Sequence, residues 1–245
     1  MSSAIGFDPT RLLAAWEDAG RRRPPWRQLA MAAAFLGEPV ETLREITPGR
    51  LEAALLDFYE AAFGPTLDGT VRCEACGEWL EVSVEIPAIR IRSAAGPPEL
   101  LAKLGRYEVC CRLPQVADLA QLAAATDVAE GRRLLLQRCL RWARRDGRAV
   151  PEGALPERVV RLVSARMAEA DPQADLALEV LCAACGSRGQ ALLDVGLLAW
   201  HKLNAWAQRL LLQVHILAAA YGWREADILE LSPARRRTYL ELAQA

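Results

Sequence analysis

Lysine and histidine are almost missing from this 245-residue chain: only Lys103 and Lys202, and only His201 and His215, occur. So few histidines leave little of the most common general acid-base and metal-binding side chain. Arginine takes the place of lysine, a bias that reads first as the codon usage of a GC-rich genome. Net charge is lacking too, because 30 basic residues face 31 acidic ones and leave −1. A protein built mainly to hold a phosphate backbone would carry a strongly basic domain. No apolar run approaches the roughly 20 residues of a membrane span. The opening MSSAIGFDPTR has neither the basic start nor the apolar centre of a secretory leader. The expectation is a cytoplasmic protein whose thiols stay reduced. Low-complexity segments, a phosphate loop, a dinucleotide fingerprint, HExxH and a Ser-His-Asp pattern are all absent. With two histidines and no recognisable site, no enzyme activity is expected.

What is present is an ordinary globular composition, 52% hydrophobic and 25% charged, with seven cysteines. An odd cysteine count in a reducing compartment argues against a disulfide framework. Four of the seven form a repeated pattern, CEACG at 73–77 and CAACG at 182–186. A CxxCG turn holds two sulfurs at its ends, and glycine supplies the positive φ that the turn requires. A closed structural zinc site needs four ligands, so the two copies complete one set: Cys73, Cys76, Cys182 and Cys185. A zinc ribbon usually separates its pairs by about 15–20 residues, whereas here 105 intervene. An insert must therefore sit between the halves. Loop-closure cost grows only logarithmically, so structural zinc, at roughly 10–16 kcal/mol of apparent binding, outweighs it. A thioredoxin-like reading lacks the βαβ context, and four thiolates leave no open position for zinc chemistry. Cys110, Cys111 and Cys139 read as small buried hydrophobes, with Cys110 or Cys111 as a substitute ligand.

Periodicity places these motifs. Residues 9–64 read as helices, with Asp8 or Thr10 capping the first, a second over 26–36, and Thr47-Pro48 opening the third. Residues 79–87 alternate and predict a strand. SAAGPP at 93–98 reads as a loop, and Tyr107, Val109, Cys111 and Leu113 alternate again. Residues 116–145 read as two helices broken near Thr126 or Gly131. Residues 146–156 read as a loop, followed by a helix through Met167 and a strand over 176–181. Trp200, Leu203, Ala207, Leu210, Val214, Leu217 and Tyr221 form one stripe on a long helix that ends at Gly222. A short helix over 224–231 follows, and Ser232-Pro233 opens a last one. The expected fold is α+β and mostly α-helical, a helical shell around a small β zinc-ribbon-like module built from the two distant CxxC halves. Its parts are an N-terminal helical region (1–70), the split module (71–195) with a helical insert over about 114–170, and a C-terminal helical region (196–245), all in one compact unit.

His201 and His215 lie on the long helix without ligand partners at metal spacing and read as surface or packing residues. Arg21-Arg22-Arg23 and Arg235-Arg236-Arg237 read as solvated helix ends, favoured where the dipole is negative. The sharper reading is a patch for nucleic acid or an acidic partner. Trp26 and Trp223 lie near these runs. Ribbon-like cysteines plus arginine runs also fit a zinc-ribbon nucleic-acid binder, against which the near-zero net charge stands.

Several segments together resemble one family. They are FGPTLDGTVRCEACGEWLEVSV, YEVCCRLPQVADL, LLLQRCLRWARRDGRAV, LEVLCAACG and the ending RLLLQVHILAAAYGWREADILELSPARRRTYLEL. The chain resembles, over about residues 10–243, the baseplate proteins or baseplate-hub assembly chaperones of T-even-like phage tails and contractile injection systems. Its most specific parts are Arg112-Leu113-Pro114 with Asp118-Leu119, and the C-terminal ending. One departure is Gln115-Val116, where a small polar residue is expected after the proline. The four cysteines match the family's zinc-binding branch. The resemblance implies an assembly role without catalysis, with a hub or tube protein as partner. Aromatic and arginine content at the ending points to Tyr221, Trp223, Arg235, Arg236 and Tyr239 as the partner surface.

Overall fold

Asp8 opens the first helix by accepting a hydrogen bond from the Thr10 N–H, so of the two candidate caps Asp8 is used. The computed structural model describes residues 8–91, 99–122 and 125–243; the loop expected at 93–98 lies outside them. Helix α1 (Pro9–Gly20) is followed by α2 (Trp26–Leu36), which stops at Gly37 in the left-handed conformation. Helix α3 (Pro48–Phe63) starts at Thr47, whose hydroxyl accepts from the Arg50 N–H. Strands β1 (Thr66–Arg72) and β2 (Trp79–Glu85) pair antiparallel, and a single helical turn, α4 (Ile86–Ile89), follows.

The middle of the chain departs from expectation. Strands β3 (Leu100–Leu104) and β4 (Tyr107–Cys111) precede α5 (Val116–Leu122) and α6 (Val128–Cys139). Residues 140–145, expected to continue a helix, form strand β5 (Leu140–Arg145), which turns back into β6 (Arg148–Ala149). The reason is local: Asp146 and Gly147 take φ of 50° and 77°, the left-handed pair that closes a tight hairpin. The resulting antiparallel sheet runs β3-β4-β5-β6. The insert is therefore not purely helical as expected over 114–170. It packs its own sheet against α6 and α7 (Glu157–Ala170), burying Val109, Cys111, Cys139, Ala143, Val159 and Val163 together. Gly131, offered as a helix break, lies inside α6, and the break falls before Val128.

The chain then forms a second hairpin, β7 (Ala177–Leu181) with β8 (Arg188–Leu192), and enters α8 (Val195–Tyr221). Short helices α9 (Glu225–Leu229) and α10 (Pro233–Ala243) complete it, with the Ser232 hydroxyl accepting from the Arg235 N–H. The fold is α+β, as expected. The stripe predicted for α8 is buried from Leu203 to Leu217, with Ala207, Leu210 and Val214 between them, while Trp200 at its start is half-buried and Tyr221 at its end is exposed. The main core joins α1, α2 and α3 to the first half of α8, with Leu67 of β1, Ile86 of α4, Val116 of α5 and Leu193 ahead of α8 joining it. No helix among the described residues is long and apolar enough to cross a membrane.

Two polar contacts tie the insert to this core, and a third knits the insert itself. Asp171, at the end of α7, accepts from the Gly49 N–H at 2.8 Å. A β-carbon at Gly49 would stand 2.2 Å from that carboxylate, so any larger residue must displace the group that receives its N–H. Buried Gln173 accepts from the Ile91 N–H and donates to the Ile89 carbonyl. The third is the most enclosed. Asp118, 1% exposed, receives both Arg112 Nη atoms at 2.6 and 3.0 Å, Arg138 Nε at 2.7 Å and the Gln115 N–H at 2.9 Å. Asp118 thus supplies one half of a capping box on α5; a small polar side chain at 115 would supply the other half by accepting from the Asp118 N–H.

Candidate metal centre

Each CxxCG motif is the turn of one hairpin. In the first, the Cys73 N–H donates to the Glu78 carbonyl and the Gly77 N–H to the Cys73 carbonyl, both at 2.8 Å. In the second, the Cys182 N–H donates to Ser187 and the Gly186 N–H to Cys182, both at 2.9 Å. Gly77 and Gly186 sit at φ of 76° and 72°, a region that favours glycine. The two turns are thus geometric copies. Arg72 braces the first by donating Nε to the Gly77 carbonyl at 3.0 Å.

The copies face each other. Cys73 Sγ lies 3.8 Å from Cys185 Sγ, and Cys76 Sγ lies 3.7 Å from Cys182 Sγ. All four sulfurs fall within 4.8 Å of one another. A disulfide needs an S–S distance of about 2.0 Å. A tetrahedral metal with metal–sulfur bonds of about 2.3 Å separates its sulfurs by about 3.8 Å. Spacing and donor type therefore fit a metal ion held by four thiolates. Cys73 and Cys182 are buried, Cys76 and Cys185 exposed, so the centre sits at the surface with two ligands rooted in it.

The local electrostatics favour a cation. The Cys76 and Ala75 N–H groups hold the Cys73 thiol down at about 7. At Cys76 the Glu78 N–H acts in the same direction, but the Cys185 and Cys73 sulfurs outweigh it and push the thiol up to about 12. One thiolate forms readily and raises the cost of the next, and a divalent ion removes that conflict.

The two hairpins share no strand ladder among the described residues. The ribbon-like module is thus built from two separate two-stranded pieces, one for each CxxC half. Sequence reading found β2 and β7 but missed β1 and β8. Leu67 and Val71 alternate weakly around Gly69, and β8 is RGQAL with one half-buried residue, so periodicity carried little signal.

Cys110, Cys111 and Cys139 are buried, as expected, and away from the four-sulfur cluster. Burial pushes the Cys111 and Cys139 thiols up to about 11, which leaves them as unreactive thiols. His201 and His215 are exposed on α8.

At the C-terminal end, Tyr221, Trp223 and Tyr239 come together. Tyr221 stacks on Trp223 at 4.7 Å between ring centroids, and Tyr239 meets Trp223 edge-on at 4.9 Å. Arg235 is exposed beside them in sequence, but Arg236 is buried, 7% exposed, with Nη1 lacking any partner among the described residues. Arg236 thus belongs to the interior of α10's packing rather than to an open surface. The run 235–237 also lies in the first turns of α10, the positive end of the helix dipole, not the favourable end that a solvated-terminus reading assumes. Arg21, by contrast, does cap the C-terminus of α1. No protein-family model, curated protein or solved structure matches the chain.

Proposed function

We propose that this chain is a non-catalytic assembly factor, or a minor baseplate component, of a contractile tail or injection system, stapled by one structural zinc. The observation that carries the zinc reading is the near-tetrahedral spacing of four thiolates. All four coordination positions are filled by protein sulfur, which suits a structural ion and leaves no place for substrate. Zinc is the divalent ion that best matches a closed tetrahedral all-thiolate set without redox chemistry.

The staple's position supports a scaffold role. The first hairpin continues directly from α3, and the second leads directly into α8. Gly69 of β1 packs against Leu198 of α8. A metal across the two turns therefore locks the N-terminal helices to the base of the long helix. That helix carries the Tyr221–Trp223–Tyr239 cluster at its far end, a rigid aromatic group of the kind that anchors protein interfaces. The assignment to baseplates rests on the family resemblance of the whole chain. The partner would be a hub or tube protein.

Metal analysis of the purified chain should give one zinc per chain, and none after Cys73→Ser/Cys182→Ser. Tagged protein recovered from the native host during particle assembly should carry hub or baseplate proteins. Recovery of transcription proteins or nucleic acid in their place would overturn the baseplate reading. Absence from mature particles would mark a chaperone, and presence in them a structural component.

A further inference from the structure

We propose that the β5–β6 hairpin is a docking surface for a carboxylate-rich face of a partner protein. The proposal deepens the assembly reading above by naming the chemistry of the partner, and it rests on that reading only for the partner's biological setting.

The hairpin RWARRDGR, residues 141–148, holds four arginines and one acid. Arg141, Arg144, Arg145 and Arg148 are all exposed. The acid, Asp146, faces Arg106 of the neighbouring turn at 3.6 Å. None of the four hairpin arginines forms an ion pair among the described residues. Glu108 lies across from Arg144 in the ladder, but its carboxylate is taken by Lys103 at 2.7 Å. Arg145 stands directly opposite Arg148, a like-charge cross-strand pair that weakens the hairpin. Positive charge without a salt-bridge partner has thus been gathered on one exposed hairpin.

The arginines are also held in place. The Arg144 guanidinium lies 4.7 Å from the Trp142 ring centroid, and that of Arg145 lies 5.5 Å from the Tyr107 ring centroid. A guanidinium stacked on a ring keeps its N–H edge free for a bidentate acceptor and loses little freedom on binding.

Carboxylate and phosphate both satisfy that edge, and two features favour carboxylate on a protein. Single-stranded nucleic acid is gripped by stacking bases on exposed aromatic faces. Here the Trp142 and Tyr107 rings already carry arginines. Second, the chain is net negative outside the hairpin: it carries −1 overall and +3 in residues 141–148, which leaves −4 for the rest. The metal module presents Asp68, Glu74, Glu78, Glu81, Glu85 and Glu179 against only Arg72 and Arg188. A long phosphate backbone gains little from a chain that is net negative outside the hairpin, whereas a local acidic face needs only the hairpin.

The test uses the full purified chain with its metal. A glutamate-rich peptide and a single-stranded oligothymidylate of equal charge serve as probes, read by fluorescence anisotropy at several salt concentrations. The peptide should bind, and Arg144→Glu/Arg145→Glu should weaken it by about tenfold or more. Arg144→Lys/Arg145→Lys should fall between, because lysine lacks the fork and the stacking geometry. Arg21→Glu/Arg23→Glu should leave the affinity unchanged. If the double reversal does not fold, as judged by metal content and circular dichroism, the single Arg148→Glu replaces it. Peptide binding that survives reversal, or tighter binding of the oligonucleotide at the hairpin, overturns the proposal. In the host, wild-type protein should recover baseplate proteins and the reversed variant should not. Equal recovery would sink the hairpin while leaving the assembly reading intact. Recovery of none by wild type would sink the assembly reading, and the peptide arm would still decide the hairpin.

Discussion

The two β regions of this molecule are held by different forces. The insert's sheet buries a continuous apolar layer: Val109, Cys111 and Ala143 on the strands meet Val159 and Val163 on α7, all nearly inaccessible. The metal module buries little. Strand β7 alternates exposed and half-buried residues without one buried side chain, and Leu181 and Leu192 remain 62% and 75% exposed. An isolated two-stranded hairpin is marginal in water. The first region is folded by its own core; the second touches the main core only at its roots, through Leu67 and Leu178, and beyond them depends on four sulfurs and whatever joins them.

Removing the metal should break that parity, with the largest effect of any change considered. Apparent binding energy for a structural zinc is on the order of 10–16 kcal/mol. Strong chelation, or Cys73→Ser/Cys182→Ser, should lower thermal stability and open the amides of residues 66–85 and 177–192 to hydrogen exchange. Amides of β3, β4 and β5 should stay protected. Equal loss of protection in both regions would mean that the insert depends on the metal too.

The next effect attacks the insert's side of the comparison. Asp118 is the one carboxylate sealed between β4, α5 and α6. Burial pushes its carboxyl up, but Arg112, the Gln115 N–H and Arg138 outweigh it and hold it at about 2. Asp118→Ala would strand the Arg112 guanidinium, whose side chain is 17% exposed, at a cost of about 3–5 kcal/mol. Chemical denaturation should show this loss with metal content unchanged. The ordinary Asp value lies above the folded one. Asp118's contribution is therefore complete above about pH 4 and disappears as pH falls toward 2. The variant should lack that segment of acid sensitivity.

These two nodes were not equally legible in sequence. The metal ligands were, because CxxCG repeats announce both the residue types and the turn. Helix boundaries at Asp8, Thr47, Gly222 and Ser232 were also readable, since capping chemistry is local. Strand β5 was not. LRWARR follows a helical pattern without proline or glycine, and its strand character comes from pairing with β4, thirty residues earlier. The Asp146-Gly147 pair was the available signal, and it was read as part of a loop. Arg236 was misplaced for a related reason: three consecutive arginines look solvated, yet a helix turns each to a different side, and α10 turns the middle one inward. The Asp118 cluster was visible only through the resemblance at Arg112 and Asp118. Composition said nothing of Arg138, which reaches it from another helix.

The last prediction concerns the main core, which the metal hairpins join through Leu67 and Leu178. Glu52 on α3 is half-buried by area, yet its Oε2 is sealed without a partner among the described residues. Burial, reinforced by Asp194 at the base of α8, pushes its carboxyl up to about 8. The unfolded chain ionises this group near 4.5, so the folded state binds the extra proton between those values. Stability is then greatest below about pH 4.5 with respect to this residue and declines as pH rises toward 8, levelling off above it. Glu52→Gln keeps the shape and removes the titration. The melting temperature of the variant should therefore exceed that of wild type by a margin that widens from pH 5 to pH 8 and is constant beyond. Because both proteins keep the same four sulfurs, the pH dependence of metal binding cancels in this difference. A gap that does not change with pH would mean that the carboxyl finds water in solution, and that the α3–α8 junction is more open than its packing indicates.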